Sequence, residues 1–209
     1  MFQPWFVELI SVISDICVGL SALIVAIAAA LGLSQWRSEL KGKAQLEMAR
    51  RLTLLAYTFR DQYISARSMF TFPQESIDRE KLPSEEQKET NYRNEYFARR
   101  NRVRLLQDTM RELIQAAWEA DVVFDRNVNV EDLIEPLGKS FDELFDAVGT
   151  YFSRHIERTS KGASPDEYDS PWLKEHREIV YGHAEDKHAK AVTARAKYLV
   201  ETIKSAVKS

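Results

Sequence analysis

The sequence predicts an all-α protein: one N-terminal transmembrane helix followed by a cytoplasmic four-helix up-down-up-down bundle. Three observations carry this. A charge-free apolar run near the N-terminus is long enough to cross a bilayer. Downstream, apolar residues recur every three or four positions in successive stretches, the period of helices with one buried face. No stretch alternates β-branched with polar residues, and no hairpin turn signal is present.

The membrane element comes first. From Ile16 to Ser34 the chain reads ICVGLSALIVAIAAALGLS without a charge. About 19 helical residues at a rise of about 1.5 Å nearly cross a hydrocarbon layer of about 30 Å. Trp5 and Trp36 bracket the run as interfacial aromatics, and Phe6, Val7, Leu9, Ile10, Val12 and Ile13 extend the pattern upstream. A cleaved signal peptide needs a positive start, whereas the early charges are Glu8 and Asp15 and the first basic residue is Arg37, so the helix is expected to be retained. Just after it, Arg37, Lys41, Lys43, Arg50 and Arg51 outnumber Glu39 and Glu47, and the positive-inside bias gives an N-out, C-in topology. Residues 1–35 are read as the anchor and 36–209 as the cytoplasmic bundle. Gly19, Ala22, Ala26 and Ala30 share a helix face, a small-xxx-small pattern that favours self-association, although alanine is also common in apolar helices with no such role. Asp15 is expected near the outer interface, since a carboxylate at the bilayer centre is costly.

In the bundle, the first stripe is Leu40, Ala44, Met48, Leu52, Leu55, Phe59, Tyr63 and Ala66. Residues 68–91 lose the period and carry Pro73, Pro83, Glu85, Glu86 and Glu89, so a mobile acidic loop is expected there. The second stripe, Tyr92, Tyr96, Val103, Leu106, Met110, Leu113, Ala117, Ala120 and Phe124, has near-heptad, coiled-coil-like spacing. A short turn from Asp125 to Asn129 implies antiparallel neighbours. The third stripe is Leu133, Leu137, Phe141, Leu144, Phe145, Val148, Tyr151, Phe152 and Ile156, with Pro136 expected to delay its start or kink it. Thr159 to Ser170, with Gly162, Pro165 and Asp169, reads as a loop. Trp172 then opens a single last helix through Leu173, Ile179, Val180, Val192, Leu199, Ile203 and Val207. Leu55, Leu106, Leu144 and Leu199 are the expected core. The acidic cluster Glu119, Asp121, Asp125, Glu131 and Asp132 is expected to return beside Arg37 to Arg51 and help fix registry.

Composition narrows the function. With 44% hydrophobic and 29% charged residues but only 7 Gly and 6 Pro in 209, disordered and collagenous classes are excluded. Cys17 is the only cysteine, which excludes intrachain disulfides and cysteine-based zinc sites. The 29 basic against 32 acidic residues, net -3, exclude the basic balance of a general nucleic-acid binder. The seven glycines are too scattered to form a phosphate-cradling loop. His155, His176, His183 and His188 form no paired ligand set, and Glu185 with His188 supplies only two donors, so neither metal nor cofactor is expected. No nucleophile-elbow sequence accompanies the serines.

Two patterns keep other readings open. In EHREIVYGHA, Arg177 and His183 are separated by five residues, which is similar to the arginine-to-histidine spacing of the HEPN nuclease superfamily, itself a helical bundle. That resemblance implies Arg177 holding a phosphate and His183 acting as a general base in RNA cleavage. The basic run Arg93, Arg99, Arg100, Arg102 and Arg104 reads as a solvated or partner-facing surface, partly neutralised by Glu95 and Asp108 at helical spacing. In the last helix Lys187, Lys190, Arg195, Lys197, Lys204 and Lys208 accompany the apolar stripe, and Lys197, Lys204 and Lys208 are expected to face anionic lipid.

The runs WRSELKGKAQLEMARRLTLLAYTFRD and AAWEADVVFDRNVNVEDLIEPLGKSFDELFDAVGTYF resemble an uncharacterised group of bacterial single-pass membrane proteins with a helical cytoplasmic region. The resemblance spans about half the chain and implies a bacterial inner membrane; it carries no known activity and transfers no functional residue. The sequence is read as a membrane-anchored interaction or scaffold protein with no catalytic residues. It is expected to contact the bilayer, form homo-oligomers and dock a cytoplasmic protein. The alternatives are a membrane-tethered HEPN-like ribonuclease and a membrane-acting oligomeric effector.

Overall fold

A computed structural model describes the backbone of residues 4–83, 85–124, 128–161 and 170–208, with side chains described from residue 17 to residue 207 of these ranges. The side chains of Trp5, Asp15 and Lys208, the centre of the turn at 125–127 and the loop at 162–169 lie outside the described residues. Among those described, the fold is all-helical: α1 (Pro4–Ala66), α2 (Gln87–Val123), α3 (Val130–Ser160), α4 (Pro171–Val180) and α5 (Lys187–Lys208), with a 3-10 turn at Pro73–Ser76. The chain divides into two compact units, Met1–Ala44 and Gln45–Ser209.

The expected membrane segment and first bundle stripe belong to one helix, α1, of 63 residues. Nothing in SQWRSEL between them contains a proline or glycine, so the backbone hydrogen-bond ladder has no reason to stop. In the first unit its apolar side chains are uncovered: Val18, Ile24, Val25 and Leu31 are each about two-thirds exposed. An 18-residue window of mean hydropathy 2.3 makes the helix long and apolar enough to cross a membrane.

In the second unit the same helix buries Leu52, Leu55, Ala56, Phe59, Tyr63 and Ala66. Its neighbour α2 contributes Val103, Leu106, Leu113, Ala117 and Ala120. Gln45 donates to the Val123 carbonyl at 3.2 Å, Arg51 pairs with Glu119, and Arg102 donates to the Ser65 carbonyl at 3.0 Å. Early residues of one helix thus meet late residues of the other. Helix α3 packs against α2, α4 and α5, and its Leu137, Leu144, Val148 and Phe152 belong to the same core as Val192, Leu199 and Ile203 of α5. All four expected core leucines are buried.

Three expectations need correction. The connection after α1 is shorter than residues 68–91, because α2 begins at Gln87, and it holds the 3-10 turn. Ion pairs brace it: Arg79 grips both oxygens of Glu85 at 2.8 and 2.7 Å, and Arg102 grips Glu75 at 2.7 Å on each oxygen. Pro136 does not delay α3, which starts at Val130 with the Asn129 side chain accepting from the Asp132 amide. The ring removes one amide donor, while the Pro136 carbonyl accepts from Ser140 Oγ at 3.2 Å and Arg195 at 3.0 Å. Finally, the last helix is two. Ser170 caps α4, Tyr181 turns extended, and Asp186 starts α5.

Candidate functional site

The break between α4 and α5 is held to the end of α1 by two arginines that lie fully inside the fold. Helices end with carbonyls that lack partners and carry partial negative charge, so a guanidinium there meets both needs. Arg67, the residue after α1, donates to the Ile179 and Glu178 carbonyls of α4 at 2.7 and 2.8 Å and to Asp186 at 2.8 Å. Arg99 of α2 uses its N–H groups in five bonds: to the Ala66, Val180 and Ser68 carbonyls at 3.1, 3.2 and 3.0 Å, and twice to Glu95. Its guanidinium also lies 4.1 Å from the Tyr181 ring centroid. Two buried cations thereby have hydrogen-bond partners, the condition under which burial is tolerated.

Asp186 is the hinge pin of this junction. One oxygen accepts from Arg67 and from the His188 and Ala189 amides at 3.0 and 2.9 Å, the other from the His183 amide at 3.0 Å. Burial alone would raise its carboxyl, but the Arg67 bond and charge and the Ala189 and His183 amides outweigh it and hold it at about 2. Gly182 passes through the middle, its amide donating to the Arg67 carbonyl at 2.8 Å beside an isolated parallel bridge to Ser68. A Cβ there would fall on Asp186 Oδ2 and the Arg67 guanidinium, with the Arg67 Cζ only 2.7 Å away.

An aromatic layer adjoins the junction. His155 lies 5.1 Å from the Tyr92 ring and 4.3 Å from that of Tyr151, which meets Tyr181 edge-on at 5.6 Å. Burial first, then the Arg158 and Arg177 charges, lower the His155 pKa, favouring the neutral ring. Burial, then the Glu95 carboxylate, pushes the Tyr181 phenol up, and burial pushes Tyr63 up to about 12 despite Arg67.

The sequence-derived candidates fall elsewhere. Arg177 is exposed on α4, and its charge bears on Tyr151 and His155. His183 is exposed in the connection at 181–186, its Nδ1 accepting from the Glu185 amide at 3.2 Å. Among the described residues no hydrogen bond or ion pair joins the two. Gly19, Ala22, Ala26 and Ala30 are exposed on α1, and nothing lies near Gly19. Lys197 is exposed and pairs with Glu201 at 3.7 Å, and Lys204 is exposed. The basic run on α2 splits in two: Arg99 and Arg102 turn to the α1 carbonyls and Arg93 pairs with Glu89 at 2.7 Å, whereas Arg100 and Arg104 are exposed. Glu95 does neutralise Arg99, but Asp108 pairs with Arg111 instead of Arg104.

One surface had no counterpart in the sequence reading. Met69, Phe70, Phe72 and Ile77 on the braced connection are each more than 60% exposed. Arg102 fixes this segment through the Phe70 carbonyl at 2.8 Å and Glu75. Four large apolar side chains are thus displayed on a segment held by ion pairs. Comparison with protein-family models, with curated proteins and with solved structures finds no match to the chain.

Proposed function

We propose that this chain is a bacterial inner-membrane, single-pass interaction protein, N-out and C-in, whose second unit is a cytoplasmic up-down-up-down helical bundle. The observation that carries the reading is α1: one unbroken helix whose apolar side chains are uncovered between residues 17 and 36 and buried in a core beyond Gln45. An uncovered apolar helix of that length needs lipid or protein around it. Gly19, Ala22, Ala26 and Ala30 would bring copies together in the bilayer. The patch at Met69, Phe70, Phe72 and Ile77 supports docking of a cytoplasmic protein.

Affinity capture of the full chain from intact membranes tests it. The expected result is a bound protein recovered with the wild type and lost with Phe70→Ser/Phe72→Ser. Recovery of RNA fragments that persist only while Arg177 and His183 are intact would replace the reading with a nuclease. Depolarisation of expressing cells, relieved by Ala26→Leu, would replace it with a membrane-acting effector.

A further inference from the structure

Arginines in the second unit are generally matched to a carboxylate or carbonyl, as Arg51, Arg67, Arg79, Arg93, Arg99, Arg102 and Arg195 illustrate. Arg100 and Arg104 are not: neither has a hydrogen-bond or ion-pair partner among the described residues. They sit one turn apart on α2, about 6 Å along the axis, where like charges repel. Gln107 and Arg111 continue the same face at the next helical steps, Arg111 pairing with the exposed Asp108 at 3.3 Å. These residues line a groove of about 610 Å³ whose apolar walls include Phe97 of α2 and Phe145 of α3. The groove lining contains three arginines and no carboxylate.

Its size is that of a small-molecule site, for which about 300 to 1,000 Å³ is usual. Guanidiniums recognise phosphate through paired N–H donors, and aromatic faces accept a flat ring. Charge limits the length of the anion. The adjoining groove beyond Phe97 mixes Glu80 and Glu85 with Arg79 and Arg93, and the one beyond Phe145 mixes Asp146 and Glu157 with Arg154. A nucleic-acid strand running along the face would leave the carboxylate-free stretch at both ends, whereas a compact anion fits within it.

We propose that this groove binds a nucleoside phosphate, with Arg100, Arg104 and Arg111 on the phosphates, Gln107 as a neutral donor and the base against Phe97 and Phe145. This is independent of membrane anchoring and of protein docking.

Calorimetric titration of the full chain in neutral detergent with ADP, adenosine, pyrophosphate and glycerol 3-phosphate tests it. ADP should saturate one site, with adenosine and glycerol 3-phosphate at least about tenfold weaker, since each lacks one half of the recognition. Arg100→Gln/Arg104→Gln should weaken ADP and pyrophosphate alike by about tenfold or more, Phe145→Ser should weaken ADP but not pyrophosphate, and Lys139→Gln should change neither. The substituted residues Arg100, Arg104, Lys139 and Phe145 are all exposed, and far-ultraviolet circular dichroism checks that the variants remain helical. Absence of saturable ADP binding, or unchanged binding in the double arginine variant, would overturn the site. Glycerol 3-phosphate binding as tightly as ADP would also overturn it, marking a lipid-headgroup type of anion site with no use for the rings.

Discussion

Replacing Asp186 with alanine should loosen the junction between α1, α4 and α5 more than any single cap normally does. Two costs combine. Losing an N-cap side chain costs about 0.5 to 2 kcal/mol. Stripping a buried cation of its carboxylate costs about 3 to 5 kcal/mol. Arg67 is 1% exposed and the Asp186 side chain 19%, and Arg67 keeps its two carbonyl partners, so the lower end of the second range applies. The expected total for Asp186→Ala is about 4 kcal/mol. Asp186→Asn keeps the cap and removes only the charge, so it should cost about 3 kcal/mol. For a unit of this size, about 2 to 4 °C per kcal/mol places the alanine variant about 8 to 16 °C below wild type in a thermal melt of the full chain in neutral detergent, followed by circular dichroism at pH 7. The sign of the pH effect follows from the depressed carboxyl. Its stabilisation is complete above its ordinary value of 3.8 and is lost as pH falls through about 2. The gap between wild type and the asparagine variant should therefore close over that window. Losses below about 1 kcal/mol for both variants, or a gap that does not depend on pH there, would refute the junction as drawn.

Gly182→Ala should destabilise the same junction by about 2 kcal/mol or more, because the added Cβ displaces the hydrogen-bonded Arg67 and Asp186 groups; the same melt checks it. Leu106, fully buried, should cost about 2 to 5 kcal/mol on truncation to alanine, and a fragment starting near Gln35 should be soluble and helical by circular dichroism. Burial and the Arg158 and Arg177 charges lower the His155 pKa, so its stabilisation is present above about 6.5 and is lost as pH falls towards the depressed folded value. His155→Phe should reduce the slope of melting temperature against pH between 7 and 5. Changing Lys197, Lys204 and Lys208 to Gln should reduce binding of that fragment to anionic vesicles without altering helicity. Equal binding to neutral vesicles would instead mark those lysines as solubilising charge.

The helices were legible in the sequence because a period of three to four apolar residues reports a buried face directly, and Leu106, Leu144 and Leu199 lie where that period puts them. The length of α1 was partly hidden, because lipid-facing and core-facing stretches obey different patterns although the backbone between them never breaks. The division of the last helix was missed for a local reason. The signals were present: Tyr181-Gly182 as a breaker and Asp186 as an N-cap before KHAKAV. The apolar stripe on either side outweighed them. The buried roles of Arg67 and Arg99 were not legible, because a lone arginine after a helical stripe and an arginine in a basic run both look solvated until the tertiary fold supplies the helix-end carbonyls they cap. The same folding sorted the α2 basic run and left Arg100 and Arg104 facing out.

The membrane reading is tested most directly by labelling a single cysteine. In a full chain carrying Cys17→Ser and Ser205→Cys, with Ser205 exposed on α5, an impermeant maleimide added to intact bacterial cells should leave the protein unmodified. It should label the protein fully once the inner membrane is opened, while the protein stays with the membrane through alkaline carbonate washing. Labelling in intact cells, or release by carbonate, would contradict a single-pass anchor with its folded unit in the cytoplasm.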